Sequence, residues 1–240
     1  MKIQHFFDPN TWTLTCVVLD EEAVQEMSEA VITLSTAHGF TQFLALGEFS
    51  SGWAQFEHGA REVGMLQMQQ GLTALRAHGA RLGLQHLLVL LAEVYGKLGQ
   101  IENARRVLSD GFILAQETEG RSHEAELYRL RGELTLQQES IEQRACSREK
   151  KSEVPSAHSL MPELESEAEA CFQQAIDIAQ KQQAKSLELR ASMSLARLWQ
   201  QQGKGAEAHR MLSEVYNWFT EGFDTKDLQE AKALIEELSH

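Results

Sequence analysis

Apolar residues recur along this chain at three- and four-residue steps. Leu87, Leu88, Leu91, Val94, Tyr95 and Leu98 form one such run, with polar residues between them. This spacing places them on one face of a helix. The runs are punctuated by glycine: Gly39, Gly59, Gly79 and Gly99 fall 20 residues apart, and Gly120 follows 21 later. A glycine just past a helix end accepts the left-handed turn that stops the helix. The pattern predicts helices of about 16–18 residues, two to a unit of about 40.

Residue size follows the same period. One small position of the first helix is Gly52, Ala92, Gly132 and Ala196. The second helix opens with Gly64, Ala104, Ala168 and Ala208. A large residue comes four later (Met68, Leu108, Phe172, Leu212), and Gly71, Gly111, Ala175 and Val215 three after that. Small residues let two helices approach and large ones fill the space between them. The step from 52 to 92 to 132 is 40, whereas 132 to 196 is 64, which is 40 plus an insertion of 24.

That insertion, 138–165, holds Pro155 and Pro162 and a basic cluster of Arg144, Arg148, Lys150 and Lys151. It lacks an apolar stripe and is expected to be a flexible loop within the third unit, a tolerated surface insertion ahead of a docking or modification site. At the far end, Gly222 closes a long helix and Asp224 or Thr225 can cap a final helix over 225–238. Its apolar face is Leu228, Ala231, Leu234, Ile235 and Leu238, and Glu236 and Glu237 leave a polar outer side suited to capping an array. Residues 1–19 differ: TWTLTCVVL is β-branched and DPN is a turn, so a β-like or poorly ordered tail precedes a helical array over 20–239.

At Leu91, Ala92, Tyr95, Gly99, Ala104, Leu108 and Gly111, residues 85–118 resemble a tetratricopeptide repeat. The resemblance implies an all-α fold, a right-handed α-solenoid of tetratricopeptide-like helix–turn–helix repeats. Two stretches narrow it: AKSLELRASMSLARLWQQQGKGAEAHRMLSEVYNWFTEGFDTKDLQEAKALIEEL, and LLAEVYGKLGQ with EAELYRLRGELTLQQ. Together they resemble the C-terminal repeat region of bacterial regulators that join a class III adenylate/guanylate cyclase or helix-turn-helix domain to an AAA-like signalling ATPase. The implied role is a sensor or scaffold module; the alternative is a truncated fragment of such a regulator with no independent activity. The cyclase and ATPase domains are absent from the chain, so their nucleotide chemistry transfers to no residue here. FFDPNTWTLTCVVLD, residues 6–20, resembles the N-terminal edge of metallo-β-lactamase-fold hydrolases. The HxHxDH that such an enzyme needs is missing, so no hydrolase activity follows.

Composition removes several classes. A formal net charge of −13 argues against a general binder of nucleic acid or anionic membrane. Three cysteines, Cys16, Cys146 and Cys171, have no ligand-like or framework spacing, which suits a reducing cytoplasm. No apolar run approaches the roughly 20 residues of a membrane span. The first residues lack the basic start and apolar core of a signal peptide. His38-Gly39, His58-Gly59 and His78-Gly79 place imidazoles beside exposed helix carbonyls, a capping role rather than a metal site. HExxH, CxxC and HxH do not occur, nor do GxSxG or a GxxxxGK loop. No metal, no cofactor and no enzymatic activity are expected.

Surface recognition is what remains. In a tetratricopeptide array the first helix of each unit lines a concave groove. Phased on Ala92, the groove positions are Leu46, Phe49, Trp53 and Phe56; His86, Val89 and Glu93; Glu126, Arg129 and Glu133; and Arg190, Met193 and Arg197. Trp53 and Phe56 are either anchors for an apolar partner side chain or, more commonly, inter-helix core. Arg129, Arg190 and Arg197 pair either with a partner's carboxylates or with neighbours such as Glu126 and Glu133. The expected partner is a protein or peptide, with cyclase or ATPase signalling domains implied by the resemblance.

Overall fold

The computed structural model describes residues 21–79, 81, 83–117, 123–148 and 157–239. Among these the fold is all-α, with ten helices and no strand. They are α1 (Glu21–His38), α2 (Thr41–Glu57), α3 (Arg61–Ala77), α4 (Leu84–Lys97), α5 (Ile101–Glu117), α6 (Glu124–Arg148), α7 (Ala157–Lys181), α8 (Lys185–Gln201), α9 (Gly205–Tyr216) and α10 (Lys226–Leu238). The β-like tail over 1–19 and the Gly120 turn lie outside the described residues.

One turn closes helix after helix. At Gly99 the backbone is left-handed, with φ 69°, and the Gly99 amide donates to the Gly96 carbonyl at 2.9 Å. The next amide, Gln100, reaches back to the Tyr95 carbonyl, also at 2.9 Å. This pair of bonds satisfies carbonyls that the helix end leaves free. The same pattern recurs at Gly59 and Gly203. It recurs a fourth time at the α7–α8 turn, where the left-handed position is occupied by Gln183 at φ 56°. The turn is thus imposed by packing there, against the preference of the residue.

Each helix packs on the next in sequence. In addition α4 packs on α6, α6 on α8, and α8 on α10, so the even-numbered helices from α4 onward form a row. α5, α7 and α9 each bridge two members of that row. The small residues explain the close pairs. A Cβ added to Gly64 meets the Gly52 carbonyl oxygen at 2.4 Å, so the α2 and α3 backbones are in direct contact. All sixteen positions of the small–large series are buried, among them Ala104, Met68, Phe172 and Leu212 at 0 % exposure. A fully buried Leu, Met or Phe contributes about 1.5–3 kcal/mol, so this series carries much of the core.

The insertion departs from expectation. Residues 138–148 continue α6 and 157–165 begin α7, so the loop expected over 138–165 is helix there; 149–156 lie outside the described residues. The physical reason is propensity. Gln, Glu and Arg favour the helix, so a nucleated helix continues through them without an apolar stripe in the sequence. Pro162 falls early in α7, where its missing amide costs one helix hydrogen bond. The last helix, α10, has Thr225 at its N-cap in an extended conformation, without a side-chain cap hydrogen bond.

Candidate functional site

The even-numbered row brings charged side chains together. On α6, Glu126, Arg129 and Glu133 are three and four residues apart and share one face. The Arg129 Nε donates to Glu126 Oε2 at 2.9 Å and its Nη1 to Glu133 Oε1 at 2.5 Å. From α8, the Ser194 hydroxyl donates to the same Glu133 oxygen at 2.8 Å. Arg190, one helical turn before Ser194, reaches three helices. Its nitrogens lie 3.4 Å from Glu126 on α6, 3.6 Å from Glu93 on α4 and 3.9 Å from Asp227 on α10. Lys97 joins the edge of the cluster, 2.5 Å from Glu57 and 3.3 Å from Glu93.

Burial sets the electrostatics. Glu126 is 2 % exposed and Arg129 6 %. Burial pushes the Glu126 carboxyl up, and the guanidiniums of Arg129 and Arg190 more than offset it, leaving it below the usual range. Glu93 behaves alike, with Arg190 the largest of the cations that outweigh burial. Arg129 is held more firmly protonated than a free arginine, because its carboxylate neighbours outweigh burial. Asp227 goes the other way: burial raises its carboxyl and the distant Arg190 does not compensate. Beside the cluster the His86 and His123 rings lie 4.9 Å apart. Burial lowers both, His123 to about 4.

Six of the sequence-predicted groove residues therefore converge: His86, Glu93, Glu126, Arg129, Glu133 and Arg190. Four others do not belong to a groove. Phe49, Trp53, Phe56 and Met193 are at most 8 % exposed and pack in the core. α2 is covered by both α1 and α3, so its aromatic residues fill inter-helix space. Arg197 is half-exposed and pairs with Glu230 of α10 at 3.4 Å. The arginines meet the chain's own carboxylates, the second of the two uses foreseen for them. Lys97, His123, Ser194 and Asp227 escaped the sequence reading. Only the packing of α10 on α8 brings Asp227 to Arg190.

Elsewhere a shallow cleft of about 170 Å³ lies among α3, α4 and α5, lined by Leu84, Leu88, Ile113 and Leu114 and flanked by the Arg76–Asp110 ion pair. Among the described residues no group of three or more His, Cys, Asp or Glu side chains is placed to hold a metal ion. No helix among them is long and apolar enough to cross a membrane. The chain matches no model of a known protein family, and no curated protein matches it.

Proposed function

We propose that this chain is a non-enzymatic protein-interaction module, a right-handed α-solenoid of tetratricopeptide-like units with a period of about 40. In this reading α4, α6, α8 and α10 form its inner wall, and that wall recognises a protein or peptide segment. The observation that carries the reading is the row itself. Alternate helices touch one another there, as expected on the inner side of a curved array, and charged side chains from four helices converge on it. The burial of every small–large position supports the repeat. The likeness of residues 184–238 to bacterial cyclase/ATPase regulators supports a scaffold or sensor role in signalling, in the cytoplasm and beside such domains. A peptide library screened against the full chain tests this. The reading requires at least one peptide whose binding falls in Asp227→Asn and Arg197→Ala variants that melt like the parent. Binding indifferent to both variants, or no peptide bound at all, overturns it.

A further inference from the structure

We infer that the inner wall receives a cationic side chain, the Lys or Arg of a partner polypeptide, beside Glu93, Glu126 and Asp227. This rests on the interaction-module reading and adds the chemistry of the partner.

The first ground is charge. Among the described residues, Glu57, Glu93, Glu126, Glu133 and Asp227 face Lys97, Arg129 and Arg190, five carboxylates to three cations. Lys97 does not restore the balance, since it is shared with Glu57 at 2.5 Å. The second ground is hydrogen bonding. Glu126 is 2 % exposed, and while its Oε2 accepts from Arg129, its Oε1 has no hydrogen-bond partner among the described residues. A buried carboxylate oxygen without a donor is costly, and a cation at the open edge beside Glu93 and Asp227 adds to the compensation of its charge. Asp227 is only loosely compensated. Arg190 approaches it only to 3.9 Å, beyond hydrogen-bond range.

The third ground is access. The side chains of Glu93, Asp227 and Arg190 are 25 %, 24 % and 29 % exposed, so the cluster is open along one edge. Polarity then follows from what is already taken. Arg129 is paired with two glutamates, and Arg190 is divided among three carboxylates. An incoming carboxylate adds negative charge to a cluster already in excess of it, whereas an incoming ammonium or guanidinium adds to a site short of cations. A chain of net charge −13 also draws basic segments toward it.

The test uses the full chain and two fluorescein-labelled octapeptides of Gly and Ser, one carrying two arginines and one carrying two glutamates. Anisotropy is expected to report binding of the arginine peptide. Asp227→Asn and Glu93→Gln should each weaken it about tenfold or more, the scale of a lost interfacial charge pair. Glu102→Gln, the same change in charge at an exposed site on α5, should stay within about twofold. Binding is compared at a temperature where the melting curves show the parent and all three variants folded. If one cluster variant fails to fold, the other decides. Equal weakening by Glu102→Gln overturns the site in favour of diffuse attraction. Binding of the glutamate peptide alone overturns the polarity and leaves the interaction reading standing. Binding of neither peptide overturns the site, and a barren peptide library beside it overturns the broader reading too.

Discussion

Arg129→Met removes the guanidinium that neutralises the centre of the cluster and keeps the side chain's length. In the parent, Arg129 is 6 % exposed and donates at 2.9 and 2.5 Å to two carboxylates. Without it, Glu126 retains only Arg190 at 3.4 Å, and it remains 2 % exposed. Breaking a buried pair from one side costs about 3–5 kcal/mol, because a charge is left without compensation. At about 2–4 °C per kcal/mol for a chain of this size, the melting temperature should fall by roughly 10 °C. The pH dependence carries the mechanism. In the parent the guanidiniums hold Glu126 below the usual range against burial. In the variant burial dominates and the folded-state value rises above the unfolded one. The deficit is then largest at neutral pH and shrinks as the pH falls and Glu126 takes a proton. Adding Glu126→Gln should recover at least about half of the loss, since it removes the stranded charge. Differential scanning fluorimetry between pH 5 and 8 measures all of this. A loss under about 1 kcal/mol, or a deficit that does not change with pH, refutes the reasoning.

Four further outcomes follow from particular residues. Gly64→Ala should cost about 3 kcal/mol or prevent folding, because its Cβ meets the Gly52 carbonyl oxygen at 2.4 Å and the Phe56 amide nitrogen at 2.6 Å. Gly111→Ala should cost only about 1 kcal/mol by denaturant titration, because the atom it meets at 2.7 Å is the movable end of Leu127. Burial holds His123 near 4 in the fold, below its ordinary 6.5; the unfolded chain therefore takes up the proton first, and stability falls as pH drops from about 6.5 to about 4. His123→Gln should flatten that part of the profile, by up to about 3 kcal/mol. Gln183→Gly should raise stability by about 1 kcal/mol, because the residue sits at φ 56° in a turn that elsewhere uses glycine.

The helices were legible because two signals agreed. Leu87, Leu88, Leu91 and Tyr95 set the helical face, and Gly99 set its end; both appear as α4 and its left-handed turn. The small–large series was legible for a similar reason, since close packing constrains residue size directly. The insertion was not, because the reading equated a missing apolar stripe with a missing helix. Residues 138–148 show that a helix can continue from a nucleated end on propensity alone, without an apolar stripe. The charged cluster was half legible. Glu126, Arg129 and Glu133 declare their shared face through i,i+3 and i,i+4 spacing within one helix. Their meeting with Glu93, Arg190 and Asp227 depends on how four helices pack, which local spacing does not encode. Of the two readings open for the aromatic residues, the structure shows the more common one, inter-helix core. Trp53 and Phe56 lie on a face phased correctly for a groove, but α1 and α3 both cover α2 and turn that face into core.

The central claim is that α4, α6, α8 and α10 present the face that meets a partner. Backbone amide shifts of the full chain, followed by NMR as the two-arginine octapeptide is added, test it most directly. The account predicts perturbations clustered around Glu93, Glu126, Arg190 and Asp227, with α5, α7 and α9 silent along their exposed sides. Perturbations spread over those bridging helices, or none anywhere, would contradict it.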